Sequence, residues 1–147
     1  MFKIAVLVSG GGTDLQSIID AVENKEIDCK IEMVISSKEG VYSLERAKKH
    51  GIESHVITKK EYKDKQSDKI LSLVDGKVDL IVLAGYLSIL DGEILEKFKN
   101  RIINIHPSLI PSFCGPNMYG LKVHEAAIKK GVRFSGCTAH FVNNEVD

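Results

Sequence analysis

Asn104 and His106 stand two residues apart in the run RIINIHPSLIP. On an extended segment, side chains at i and i+2 point to the same side, so an amide and an imidazole can converge on one small volume. An amide donor is suited to a developing oxyanion and an imidazole to moving a proton. That combination serves acyl or formyl transfer. The structural alternative is an Asn that caps and a His satisfied by backbone at a strand end. Pro107 then forces the chain out of regular structure.

Three further groups could serve such a pair. Gly10, Gly11 and Gly12 follow an apolar run and precede a helical pattern, so backbone N–H groups there can approach a phosphate. A dinucleotide fingerprint would require a third glycine at position 15, which is Leu, and an acidic residue where Ser36 and Ser37 stand. A P-loop lysine is absent as well, so the pattern suits a monophosphate, or a tight turn with no ligand. Asp14 places a carboxylate where a phosphate would be held. The segment LAGYLSIL, 83–90, opens from a buried strand into small and apolar residues, which fits a flat slot for a ring system or ordinary strand-to-helix packing. Asp147 ends a short polar run and could approach His106 or remain a surface acid. His106, His124, His140 and Cys114 match no metal-ligand spacing, and His140 reads as a packed strand residue.

These groups need a scaffold, and the apolar pattern predicts one. Strands are expected over 3–9, 31–35, 54–57, 78–84, 101–105 and 137–142, and helices over 13–22, 43–50, 59–74, 91–98 and 122–129. Thr13 or Asp14 would cap the first helix, Asp91 the fourth, and Gly51 and Gly131 would terminate the helices before them. Between 107 and 121 lies a loop with Pro111, Gly115, Pro116 and Gly120. Alternating strands and helices define an α/β class: a Rossmann-like, mainly parallel sheet with helices on both faces. Repeats, linkers and low-complexity tracts are absent, so one domain over 1–147 is expected. With no terminal element after the last strand, that domain reads as cut short at its C-terminal end.

Composition narrows the partners. The chain has 147 residues, 44% hydrophobic and 27% charged, which is ordinary for a globular domain. Twenty basic and twenty acidic residues cancel, so there is no basic footprint for nucleic acid. No apolar stretch reaches the roughly 18 residues that span a bilayer, and the N-terminus lacks a cleavable signal pattern. Cys29, Cys114 and Cys137 are odd in number without a CxxC, pointing to a reducing cytoplasmic location.

Taken together, VLVSGGGTDLQSIIDA, VDLIVLAGYLSIL, RIINIHPSLIPSF and GCTAHFVNNEVD, in this order along the whole chain, resemble the folate-dependent phosphoribosylglycinamide formyltransferases. The resemblance implies a formyltransferase fold, direct formyl transfer from 10-formyltetrahydrofolate to the amine of glycinamide ribonucleotide in purine biosynthesis, no metal, and a monomer or homodimer. It implies catalytic roles for Asn104, His106 and Asp147, with Asp147 orienting the imidazole. It places the ribonucleotide phosphate on Gly11, Gly12, Thr13 and Asp14. The folate site would comprise Leu87, Ser88, Ile89, Leu90, Asn104, Asn143, Asn144, Glu145, Val146 and Asp147, with Lys65 near the folate tail. Asp14 replaces a usual Asn and Ser88 a common Arg, while the loop FCGPNMYGLKVHE is longer than in many relatives. Related hydrolases of 10-formyltetrahydrofolate carry an extra N-terminal domain, and the start of the first strand at the N-terminus argues against one here. Methionyl-tRNA formyltransferase shares the Asn-x-His-x-Ser-Leu pattern but would want a further basic domain. A non-catalytic nucleotide- or folate-binding domain remains the alternative outside the enzymes.

Overall fold

Continuous apolar runs suit strands covered on both faces, and they form the centre of the molecule. In the computed structural model, which describes residues 1–143, β1 (Lys3–Val8) is followed by α1 (Thr13–Glu23) and β2 (Lys30–Ser36). Then come α2 (Tyr42–Lys49), β3 (Glu53–Val56), α3 (Lys59–Tyr62), α4 (Gln66–Val74) and β4 (Leu80–Leu83). The remainder is α5 (Glu93–Lys97), β5 (Ile102–His106), α6 (Leu121–Lys130) and β6 (Thr138–Phe141). The sheet order is β3-β2-β1-β4-β5-β6, parallel throughout except for the antiparallel β5–β6 pair. Strand order reverses between β1 and β4. In an open α/β sheet that reversal opens a crevice beyond the carboxyl ends of the strands.

The two faces of the sheet are packed separately. Ala5, Leu7, Met33, Ile35, Ile81 and Leu83 meet Ile70 and Val74 of α4, Ile94 of α5 and Phe98 at the C-terminal end of α5. Ile4, Val6, Val8, Ile31, Val34 and Val82 meet Leu15, Ile19 and Ala47 of α1 and α2. Ile31 and Val34 are three apart yet share a face, because a bulge skips Glu32: Ile4 pairs with Ile31 and Ala5 with Met33.

Several boundaries differ from the sequence expectation. Residues 59–74 are not one helix. Lys63 has φ 51° and ψ −124°, and a 3-10 turn over Lys63–Lys65 separates α3 from α4. The cause is two polar side chains turned inward at the start of α4. Gln66 Nε2 donates to Ile57 O at 3.0 Å, and Ser67 Oγ accepts from the Asp91 N–H at 3.0 Å. Both residues are only 4% exposed. Neither Thr13 nor Asp14 caps α1; its N-cap is Gly12, in the left-handed region and without a side-chain cap. Likewise Gly92, not Asp91, precedes α5. β4 is shorter than 78–84, since Val78 N–H bonds back to Val74 O of α4 at 3.2 Å. β5 extends one residue further than expected, so His106 lies within the strand.

Phe98 is 2% exposed at the base of the first layer, and Arg101 lies over its ring at 4.5 Å. Phe98→Ala should cost about 3–5 kcal/mol of stability, measured by urea unfolding. A loss under about 1 kcal/mol would show that the layer repacks around the gap.

Candidate active site

The crevice at the strand reversal is a cavity of about 500 Å³. Its floor is made by the ends of β1, β4 and β5, which contribute Ser9, Gly10, Gly85, Asn104 and His106. Leu87 and Ile89 form one lip, and residues 115–120 form the other. The amide and imidazole singled out by their spacing do line one volume.

Each of the pair is held by a partner that the spacing did not reveal. Asn104 faces His140 in the antiparallel β5–β6 register. Its Nδ2 donates to His140 Nε2 at 3.2 Å, and His140 Nδ1 donates to the carbonyl of Phe141 at 3.2 Å. One tautomer of His140 satisfies both contacts and fixes the Asn104 amide. His140 is therefore a support for the site, beyond the packed strand residue expected. His106 is 4% exposed, and its Nε2 donates to Phe113 O at 2.8 Å. Phe113 has φ 51°, and the turn that carries it is pinned from beneath. Ser108 Oγ donates to Ser112 O at 2.5 Å, while Thr138 Oγ1 donates to Ser108 O at 2.7 Å and accepts from the Ile110 N–H at 3.0 Å. The imidazole is thus oriented by a loop anchored on β6.

The glycine turn leaves β1 at the same end of the sheet. Gly10 lines the cavity; Gly11, Gly12, Thr13 and Asp14 continue from it into α1, with Gly11, Thr13 and Asp14 exposed. Only glycine fits position 12. Its φ is 82°, and an added Cβ would stand 3.2 Å from Ser43 Cα. Ser9, missed in the sequence, ties the strand ends together. Its Oγ accepts from the Leu87 N–H at 2.8 Å and shares a hydrogen bond with Ser37 Oγ at 2.5 Å. A small polar residue at the end of an apolar strand was the available signal.

The segment after β4 does not act as one surface. Leu87 and Ile89 face the cavity, Leu90 is buried in the core, and Ser88 turns away to a depression beside Ser37 and Thr58. Lys65 is exposed in the 3-10 turn and does not line the cavity. Asn143 is exposed just beyond β6. Asn144, Glu145, Val146 and Asp147 lie outside the described residues. Among the described residues no three His, Cys, Asp or Glu side chains gather as a metal site, and no helix is long and apolar enough to cross a membrane.

Sheet order, crevice and the Asn–His pair together define a class, and the chain belongs to the formyl transferase family, whose profile matches residues 2–147. Its similarity is more particular than the class. It is 46% identical to the phosphoribosylglycinamide formyltransferase of Haemophilus influenzae, over 100% of this chain and 68% of that one. It is 40% identical to the human trifunctional purine biosynthetic protein adenosine-3, covering 99% of this chain but only 14% of that much longer protein. Glycinamide ribonucleotide transformylase 1 from Symbiobacterium toebii superposes with a TM-score of 0.91 at 38% identity, over 100% of this chain and 68% of that one.

Two outcomes follow from the geometry. Gly12→Ala should lose about 1–3 kcal/mol from strained backbone, read by thermal or chemical unfolding; an unchanged midpoint would contradict the close approach to Ser43. Burial pushes the Tyr86 phenol up to about 12, opposed by the Ser88 hydroxyl. Exposed by unfolding, the same phenol titrates near 10. Its contribution to stability is therefore complete below about pH 10 and lost as pH rises toward 12. Tyr86→Phe should remove that alkaline limb from unfolding free energies measured across this window.

Proposed function

We propose that the protein carrying this chain transfers the formyl group of 10-formyltetrahydrofolate to the amine of glycinamide ribonucleotide in purine biosynthesis, with residues 1–147 belonging to its single formyltransferase domain. The observation that carries the reading is the position of Asn104 and His106: one crevice, between a glycine turn on one side and an apolar lip on the other. A phosphate-bound amine and a ring-bound formyl group would meet there.

In the reaction, the amine nitrogen attacks the formyl carbon. A C–N bond forms, the carbonyl electron pair moves to oxygen, and a tetrahedral oxyanion results. Asn104, its amide aligned by His140, donates to that oxygen; one such donor is typically worth about 3 kcal/mol. His106 carries the proton from the attacking amine to the departing folate nitrogen, and collapse of the intermediate breaks the old C–N bond. Asp147 orients the imidazole. Gly11, Gly12, Thr13 and Asp14 hold the ribonucleotide phosphate. Leu87 and Ile89 supply apolar cover for the pterin, and the segment 143–147 completes the folate site; Ser88, Leu90 and Lys65, which do not line the crevice, are left out of it. The chemistry proceeds by direct attack and calls for no metal.

Purified full-length enzyme incubated with both substrates should yield formylated ribonucleotide in step with loss of the formyl-folate. Formate released without the amine substrate would replace this reading with hydrolysis. His106→Ala should lower the single-turnover rate about 10²–10⁴-fold while ribonucleotide affinity, measured by calorimetry, stays within a few fold. Normal single-turnover chemistry with lost affinity would remove His106 from the proton-transfer role.

A further inference from the structure

The three carbonyls of the glycine turn are all taken up by protein donors. Gly10 O accepts from the backbone N–H of Ser43 at 3.3 Å and from its hydroxyl at 2.6 Å. Gly11 O accepts from Arg46 Nε at 2.7 Å, and Gly12 O from the Gln16 N–H at 2.8 Å. In a trans peptide the C=O and the following N–H point in opposite directions. With these carbonyls engaged, the N–H groups of Gly11, Gly12 and Thr13 point away from the donors that hold the carbonyls. The first N–H groups of α1 have no intrahelical acceptor, so they add to the same set.

Arg46 is well placed to enforce this arrangement. It is half-buried, its Nη1 donates to Gln16 Oε1 at 3.1 Å, and its guanidinium stacks over the Tyr42 ring at 4.7 Å. Gln16 is fixed in turn, since its Nε2 donates to Asp20 Oδ1 at 2.9 Å. The planar fork reaches two acceptors on different elements at once, which an ammonium cannot reproduce. Its positive charge stands one peptide behind the N–H groups of the turn.

We propose that Arg46 is a positioning residue for the ribonucleotide phosphate: it holds the Gly11 peptide so that the turn presents its N–H groups to the anion, and places a fixed positive charge behind them. The inference rests on the formyl-transfer reading, in which this turn takes the phosphate. Its effect is on ground-state binding of one substrate and not on the chemical step.

Steady-state kinetics of Arg46→Met and Arg46→Lys test it, alongside calorimetric binding of glycinamide ribonucleotide. Arg46→Met should raise the ribonucleotide KM about 10- to 100-fold, the range for loss of a charge-assisted hydrogen bond. Its kcat and the folate KM should stay within about threefold of wild type. Arg46→Lys, which restores charge but not the fork, should fall between Met and wild type. A ribonucleotide KM within about twofold of wild type in both variants overturns the proposal, as does an equal change in both KM values and kcat. Should Arg46→Met not fold, Gln16→Leu leaves Arg46 in place, removes the acceptor of its second arm, and must show the same KM-selective loss for the proposal to stand. Wild-type protein that binds no ribonucleotide instead refutes the formyl-transfer reading itself.

Discussion

The buried hydroxyl of Ser9 joins three strand ends where they open into the crevice. β1 is covered on both faces, so a polar side chain at its end must find protein partners. Ser9 finds them in Ser37 beyond β2 and in the backbone of Leu87 beyond β4. That one oxygen sets how the glycine turn and the apolar lip leave the sheet relative to each other. The separation of the glycine turn from the apolar lip follows from where those two segments emerge. The crevice is thus a product of sheet geometry, and the loops above it refine a volume that the strands have already opened.

The Asn–His pair shows how such a volume becomes specific. Both residues lie on β5, yet neither is oriented by β5. Asn104 takes its alignment from His140 on the neighbouring antiparallel strand, and His106 takes its alignment from the carbonyl of Phe113. β6 stands behind both: it carries His140, and through Thr138 it pins the turn that presents Phe113. A single reversed strand at the edge of a parallel sheet organises the two polar side chains. Antiparallel pairing makes this possible, because it sets residues directly opposite one another.

What could be read in the sequence, and what could not, divides along the same line. Continuous apolar runs such as 78–84 disclosed strands because burial on both faces leaves a local imprint. The i, i+2 spacing of Asn104 and His106 survived for a similar reason: strand geometry alone puts them on one side. The break near Lys63 left no such imprint. It depends on Gln66 and Ser67 turning inward to partners outside their own helix, Ile57 O and the Asp91 N–H, and in sequence those polar residues look like a solvated helix face. The caps failed because Gly12 is placed by its approach to Ser43, a contact between two helices. The partnership of His140 with Asn104 required the register of two strands 36 residues apart.

In β2, Glu32 lies outside the alternation of the ladder. Residues 30–31 and 33–36 pair with β1 on either side of it. The strand therefore has a phase reset built into its length. Elsewhere in the sheet, removing one residue would invert every side chain beyond the cut and carry apolar groups from one layer to the other. At Glu32 the same deletion would leave Ile31 beside Met33, and each would keep the face it now occupies. Tolerance to a change in chain length is thus concentrated at one position of an otherwise rigid central strand, at the end of the sheet remote from the crevice.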